Sequence, residues 1–163
     1  MIQRIQSIFL LLVAATMITM LFFPLWQKVD TENKEKITLT ALEVVHDRSN
    51  AETQEVEIVS TSPVYPVAGL AILAAIVAVF SAFKYDNRLI QMKLGALNSL
   101  IIGGCLGFAV YFIFDAEKVL PPSAPVAYLP GFYFSAAALF FNALANRFIR
   151  RDENLVRSAD RIR

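Results

Sequence analysis

The sequence predicts an all-α membrane protein: an up-and-down bundle of four transmembrane helices, with a small extracytoplasmic β-hairpin or three-stranded sheet between helices 1 and 2. Three observations carry the prediction. Hydrophobic residues fill 56% of 163 positions and charged residues 18%, against about 45–50% and 25% in soluble domains; mean hydropathy is +0.53. Four long stretches carry little or no charge, and at about 1.5 Å per residue they match a hydrocarbon core of about 30 Å. The segment 27–65 differs sharply, with Asp30, Glu32, Glu35, Glu43, Asp47, Glu52, Glu55 and Glu57 against Lys28, Lys34, Lys36 and Arg48. The chain reads as a single tetraspan domain, 1–163.

The first helix is placed at about 5–26. A basic start and an apolar middle resemble a signal peptide, but no small-residue cleavage site follows, so an uncleaved span is expected. Pro24 and Trp26 mark its exit, with Trp26 at headgroup depth. Thr16 and Thr19 are expected to bond back to their own helix. In the polar segment, Ile37, Leu39, Ala41 and then Val56, Ile58 alternate with polar residues, and Asp47 to Ala51 supplies turn residues. That is a hairpin, with 26–29 as a third strand, since two strands alone are marginal. His46 is expected at its surface.

The second helix, 66–84, starts at Pro66, a residue suited to a first turn. It carries alanine ladders at Ala71/Ala75 and Ala74/Ala78/Ala82. The third, 92–114, holds Gly95, Ser99, Gly103 and Gly107 at spacing four, a small-residue face expected to pack against a neighbouring helix. Cys105 lies in the same helix and, as the only cysteine, excludes an intrachain disulfide. Pro121, Pro122 and Pro125 then favour a stiff extended turn. The fourth helix, 129–150, opens with an aromatic group (Tyr128, Phe132, Tyr133) and continues into a basic tail, 146–163.

Charge bias orients the chain. The N-terminus, the loop 84–93 and the C-terminus hold ten Lys and Arg against Asp86, Asp152, Glu153 and Asp160, a net +6, whereas the opposite side holds five bases against ten acids. By the positive-inside rule both termini are cytoplasmic and the acidic segment faces outward.

Three groups stand out as sites. Besides the small-residue face, Asn98 and Asn142 sit at similar depth in antiparallel helices, and are expected to bond to one another or to carbonyls across the interface; the alternative is a polar vestibule that includes Asn146. In the tail, Phe148, Leu155, Ala159 and Ile162 form a stripe flanked by Arg147, Arg150, Arg151, Arg157 and Arg161. These arginines are the candidate docking surface for anionic lipid or a partner protein; nucleic acid needs more basic surface.

RIQSIFLLL at 4–12 and NRFIRRDENLVRSADRIR at 146–163 resemble the two terminal signatures of an uncharacterised family of small four-helix inner-membrane proteins from Bacteroidota, known as a domain of unknown function. The resemblance implies architecture and location and no activity. A looser likeness of shape connects the chain to claudin-type tetraspans, whose W…C…C loop signature it lacks.

No ionisable residue lies mid-span, which argues against a pump or ion-coupled carrier. One histidine and one cysteine cannot supply a bis-histidine haem or a paired-thiol centre. The expected function is therefore a structural or accessory subunit of a membrane complex, bound to membrane lipids and a protein partner, without catalysis or cofactor. The alternative is a small-molecule or lipid-binding transporter or channel component.

Overall fold

A computed structural model of the chain describes residues 2–49, 56–84 and 87–160. In order, the elements are α1 (Ile2–Met20), β1 (Trp26–Asp30), β2 (Glu35–Leu39), β3 (Glu43–Ser49), β4 (Val56–Pro63), α2 (Tyr65–Phe83), α3 (Arg88–Glu117), β5 (Val126–Tyr128) and α4 (Pro130–Asp160). The fold is mixed α/β, with a five-stranded antiparallel sheet in the order β4-β3-β2-β1-β5. The expected all-α bundle of four spans is thus corrected.

Among the described residues two helices, α2 and α3, are long and apolar enough to cross a membrane. The other two fall short for separate reasons. The apolar part of α1 ends at Met20, because the chain turns at 21–25 and enters β1, so the predicted span to residue 26 is cut by a strand. Trp26 is accordingly no headgroup anchor: it is a buried sheet residue. In α4, Asn142, Asn146 and Arg147 fall within the first five turns and dilute the apolar run.

Each helix packs on two others: α1 and α3 each contact both α2 and α4. Small residues let α2 approach its neighbours, since Ala71, Ala74, Ala75, Ala78 and Ala82 all face inward. Thr16 and Thr19 donate to the carbonyls of Leu12 and Ala15, both at 2.8 Å, as expected of threonine in an apolar helix. Large side chains such as Ile8, Ile76, Leu100, Tyr111 and Phe140 project outward from the ring.

The sheet caps one end of the helices. Residues of one face line up across strands as Trp26–Leu39–Val44–Ser62 and Lys28–Ile37–His46–Ser60; Trp26, Lys28, Ile37 and Leu39 are buried. Trp26, Ile37 and Leu39 share one apolar core with Met20, Val67, Ile113 and Ala116 from the helix ends. The predicted turn 47–51 is corrected up to Ser49, because β3 continues through it; residues 50 and 51 lie outside the described residues. A bulge follows: His46 stands opposite Ser60 and Asp47 opposite Ile58, leaving Val59 over, which bends and twists β4. The proline segment 121–125 leads into β5, a strand rather than a simple turn, through Val29 N–H donating to the Pro125 carbonyl at 3.2 Å.

Candidate functional site

Inside the helix ring, at the end away from the sheet, polar side chains replace apolar ones. Gln91 and Asn98 lie on the buried stripe of α3, which runs Gln91, Gly95, Asn98, Ile102, Cys105, Ala109, Ile113, Ala116. Steps of three and four average close to 3.6, so this stripe stays on one face. Gln91 Nε2 donates to the Ser81 carbonyl of α2 at 3.1 Å, and Gln6 Nε2 of α1 reaches Gln91 Oε1 at 3.5 Å. One turn further in, Asn142 Nδ2 of α4 donates to the Gly95 carbonyl at 2.9 Å and to Ser99 Oγ at 2.8 Å. Asn146 packs directly on Gly95: a Cβ placed there meets Asn146 Oδ1 at 1.8 Å.

Asn142 therefore bonds to a carbonyl across the α3–α4 interface, one of the two arrangements expected from the sequence. Asn98 does not join it. Its amide is 1% exposed and neither Nδ2 nor Oδ1 has a partner. At the foot of the column Arg88 Nε stands 3.0 Å from Asp152 Oδ2, near enough for an ion pair though not aligned as a hydrogen bond. Gln6, Ser81, Gln91 and Asp152 were missed as site residues. The sequence signal was there for the two glutamines, a polar residue inside an apolar stripe at each end of a span, but it reads equally as helix-end solvation.

The small-residue face splits. Gly95 is buried and Ser99 half-buried against α4, whereas Gly103 and Gly107 are exposed and a Cβ on either meets nothing within 4 Å. A spacing of four advances 400°, so it drifts about 40° per step and Gly107 lies about 120° from Gly95. Gly107 borders a shallow apolar groove with Gly104, Phe108 and Tyr111, about 310 Å³ in volume. Gly103→Leu is expected to leave the thermal midpoint of the isolated chain within about 2 °C of wild type, since surface substitutions rarely exceed 0.5 kcal/mol. A drop of 5 °C in a detergent melt sinks that placement.

In the basic tail, α4 continues to Asp160, and Arg147, Arg150 and Arg151 are exposed. Arg150 borders a depression of about 320 Å³ with Met92, Glu153 and Asn154. The side chain of Arg157, and residue Arg161 altogether, lie outside the described residues, as do Ala159 and Ile162 of the predicted stripe.

At the opposite end, His46 is not a free surface residue. Its side chain is 13% exposed, and Nε2 lies 3.2 Å from Glu35 Oε2. Arg48 Nε donates to Glu35 Oε1 at 2.8 Å. The Arg48 guanidinium, and secondarily His46, hold the Glu35 carboxyl below its ordinary 4.5. Asp30 is also lowered, first by Asn33 Nδ2 and then by the backbone N–H groups of Glu32 and Asn33. Both carboxyls thus bind protons more weakly folded than unfolded, so their contribution is complete above the unfolded pKa and is lost as pH falls through the folded value. The midpoint of thermal unfolding is expected to decline as pH drops below about 4.5, and Glu35→Gln should flatten that decline.

The sequence places Lys28 among the solvent-facing bases of the segment 27–65. It is 1% exposed, and Nζ donates to the carbonyls of Glu117 at 2.9 Å and Leu120 at 3.1 Å. It ties the sheet to the C-terminus of α3, where unpaired carbonyls and the helix dipole favour a cation. Cys105 Sγ donates to the Val67 carbonyl at 3.4 Å inside the core, a packing role.

No curated protein matches this sequence. The family described as Domain of unknown function (DUF4293) matches residues 2–162, nearly the full length over which the sheet, the helix ring and the polar column are built, and the chain belongs to that family.

Proposed function

We propose that this chain is a multi-pass protein of the cytoplasmic membrane that serves, without catalysis of its own, as a structural or accessory subunit of a membrane complex. The outward apolar side chains of the helices and the length of α2 and α3 support the membrane setting, as does the resemblance to inner-membrane proteins of Bacteroidota. In this reading α2 and α3 cross the bilayer and α1 and α4 pack beside them. The termini are cytoplasmic: Gln6, Arg88 and Asp152 share the end of the molecule where the positive residues concentrate, and the acidic sheet lies at the other. Impermeant thiol labelling of Arg48→Cys and Arg151→Cys should modify the first from outside and spare the second; the opposite pattern reverses the orientation.

The observation that carries the subunit reading is the edge of the sheet. Strand β4 has β3 on one side and no described strand on the other. It spans eight residues, is exposed along 57–63, and carries Ile58 at 64% exposure. Its guards are few: Glu57, the bulge at Val59 and a proline at the last position, with no lysine. Monomeric proteins protect such edges with charge, proline or a covering element, because the free N–H and C=O groups template another strand. A partner strand adding to β4 satisfies them. After mild solubilisation, the native chain should elute in a larger assembly, and Ile58→Lys should elute alone. Identical elution of both at the mass of the lone chain defeats this reading.

The transporter or channel alternative draws on one observation, the buried polar column. Its amides carry no titratable group that could couple transport to a proton gradient.

A further inference from the structure

We propose that the polar column is an internal binding site for a small electropositive guest, a water molecule or a monovalent cation, held by oxygen atoms. The proposal rests on the column alone and stands whether or not the chain is a complex subunit. Gln6 and Asn142 are fully buried and Asn98 and Ser81 each 1% exposed. Buried polar groups without partners are rare and destabilising, and native interiors answer them with ordered guests.

The direction of the hydrogen bonds sets the chemistry. The Ser81 carbonyl can only accept, so the Gln91 atom facing it is Nε2. Gln91 Oε1 then faces Gln6, which must present Nε2 and is left with a bare Oε1. In the same way the Gly95 carbonyl takes Asn142 Nδ2 and leaves Asn142 Oδ1 bare. With Asn98 Oδ1 and Asn146 Oδ1, four amide oxygens lack a donor. Among the unpartnered atoms of the described residues, Asn98 Nδ2 and the Ser81 hydroxyl remain to donate. Acceptors exceed donors, so the guest supplies hydrogens or positive charge. An anion would face the two oxygens that these bonds fix, Gln6 Oε1 and Asn142 Oδ1, and the Arg88–Asp152 pair at the foot of the column brings no net charge to hold it.

Two measurements on the full-length wild-type chain in detergent decide the matter and distinguish the guests. The first is thermal unfolding in sodium, potassium or ammonium chloride against N-methylglucamine chloride at constant ionic strength. A cation guest gives a saturable rise specific to one salt, roughly 5 °C or more at a hundredfold excess over Kd, and Asn98→Leu abolishes it. The second is a nuclear Overhauser transfer from solvent to the Asn98 side-chain amide in 15N-labelled protein. A water guest gives that cross-peak with equal unfolding midpoints in all four salts. Gln6→Met replaces Asn98→Leu should the latter misfold. Absence of both the salt-specific rise and the water cross-peak overturns the proposal, and an Asn98→Leu chain that melts higher than wild type agrees with that outcome.

Discussion

Replacing Lys28 by methionine is expected to destabilise the chain by about 2–4 kcal/mol, the range for removing a charged donor from buried acceptors. Methionine matches the four-atom stem of lysine and lacks the ammonium, so the apolar packing of the stem survives and the loss isolates the charged group. What remains are two carbonyls without their cation, that of Leu120 buried and that of Glu117 part-buried at the edge of a depression. They lie at the end of α3, where a helix has no donors of its own to offer. The effect should be local before it is global. Limited proteolysis ought to cut 118–125 in the variant faster than in wild type, while α2 stays protected. A loss under 0.5 kcal/mol in a denaturant titration sinks the assignment of Lys28 as the tie between sheet and helix.

Gly131→Ala is expected to be the most damaging single methyl group, at about 2 kcal/mol, within the range for overpacking. A Cβ at Gly131 falls 2.6 Å from the Phe23 carbonyl oxygen and 2.8 Å from that of Pro24. Both are backbone atoms and cannot rotate aside. The contact is also bonded, with Gly131 N–H donating to the Pro24 carbonyl at 3.0 Å and Leu129 N–H to that of Leu25 at 2.9 Å. Making room for a methyl therefore pulls the start of α4 off the bend between α1 and β1. Gly69→Ala is the control, because its Cβ meets nothing within 4 Å and alanine is the better helix former. It should melt at or slightly above the wild-type temperature; if both variants melt alike, the close approach at Gly131 is not limiting.

The two glycine results show what periodicity can and cannot convey. Helices α2 and α3 were legible because apolar runs of that length read as helices rather than strands, and the alanine ladders of α2 do face inward. The glycine series of α3 looked like one face because spacing four was treated as constant, whereas the helix rotates it outward. Gly131 carried no pattern, since its neighbour is a bend more than a hundred residues earlier in the chain. Strand β3 was read partly as a turn because the sheet extends past the helices there: the inward row becomes Asp30, Glu35, Arg48 and Glu57, and the alternation is carried by charge. Strand β5 has three residues and no local signal. It pairs with β1 only because α3 and α4 deliver it there. Of the candidate site, the asparagines of α3 and α4 were found from their depth. The glutamines and Ser81 were not, because their burial depends on all four helices meeting.

The pairing of β1 with β5 sets an order of events during synthesis. Trp26 stands beside Tyr128 and Lys28 beside Val126, and α1 packs on α4, so the earliest part of the chain is completed by the latest. Until residue 120 has emerged the lysine of β1 has no helix end to cap, until residue 128 has emerged β1 has one open side, and until α4 follows, α1 has no second neighbour. Pairing across such a separation is slow, and the waiting strand is exposed meanwhile. A nascent chain halted before α4 should therefore be protease-sensitive in α1 and β1 although both were made first, and the finished protein closes as a ring whose last segment locks its first.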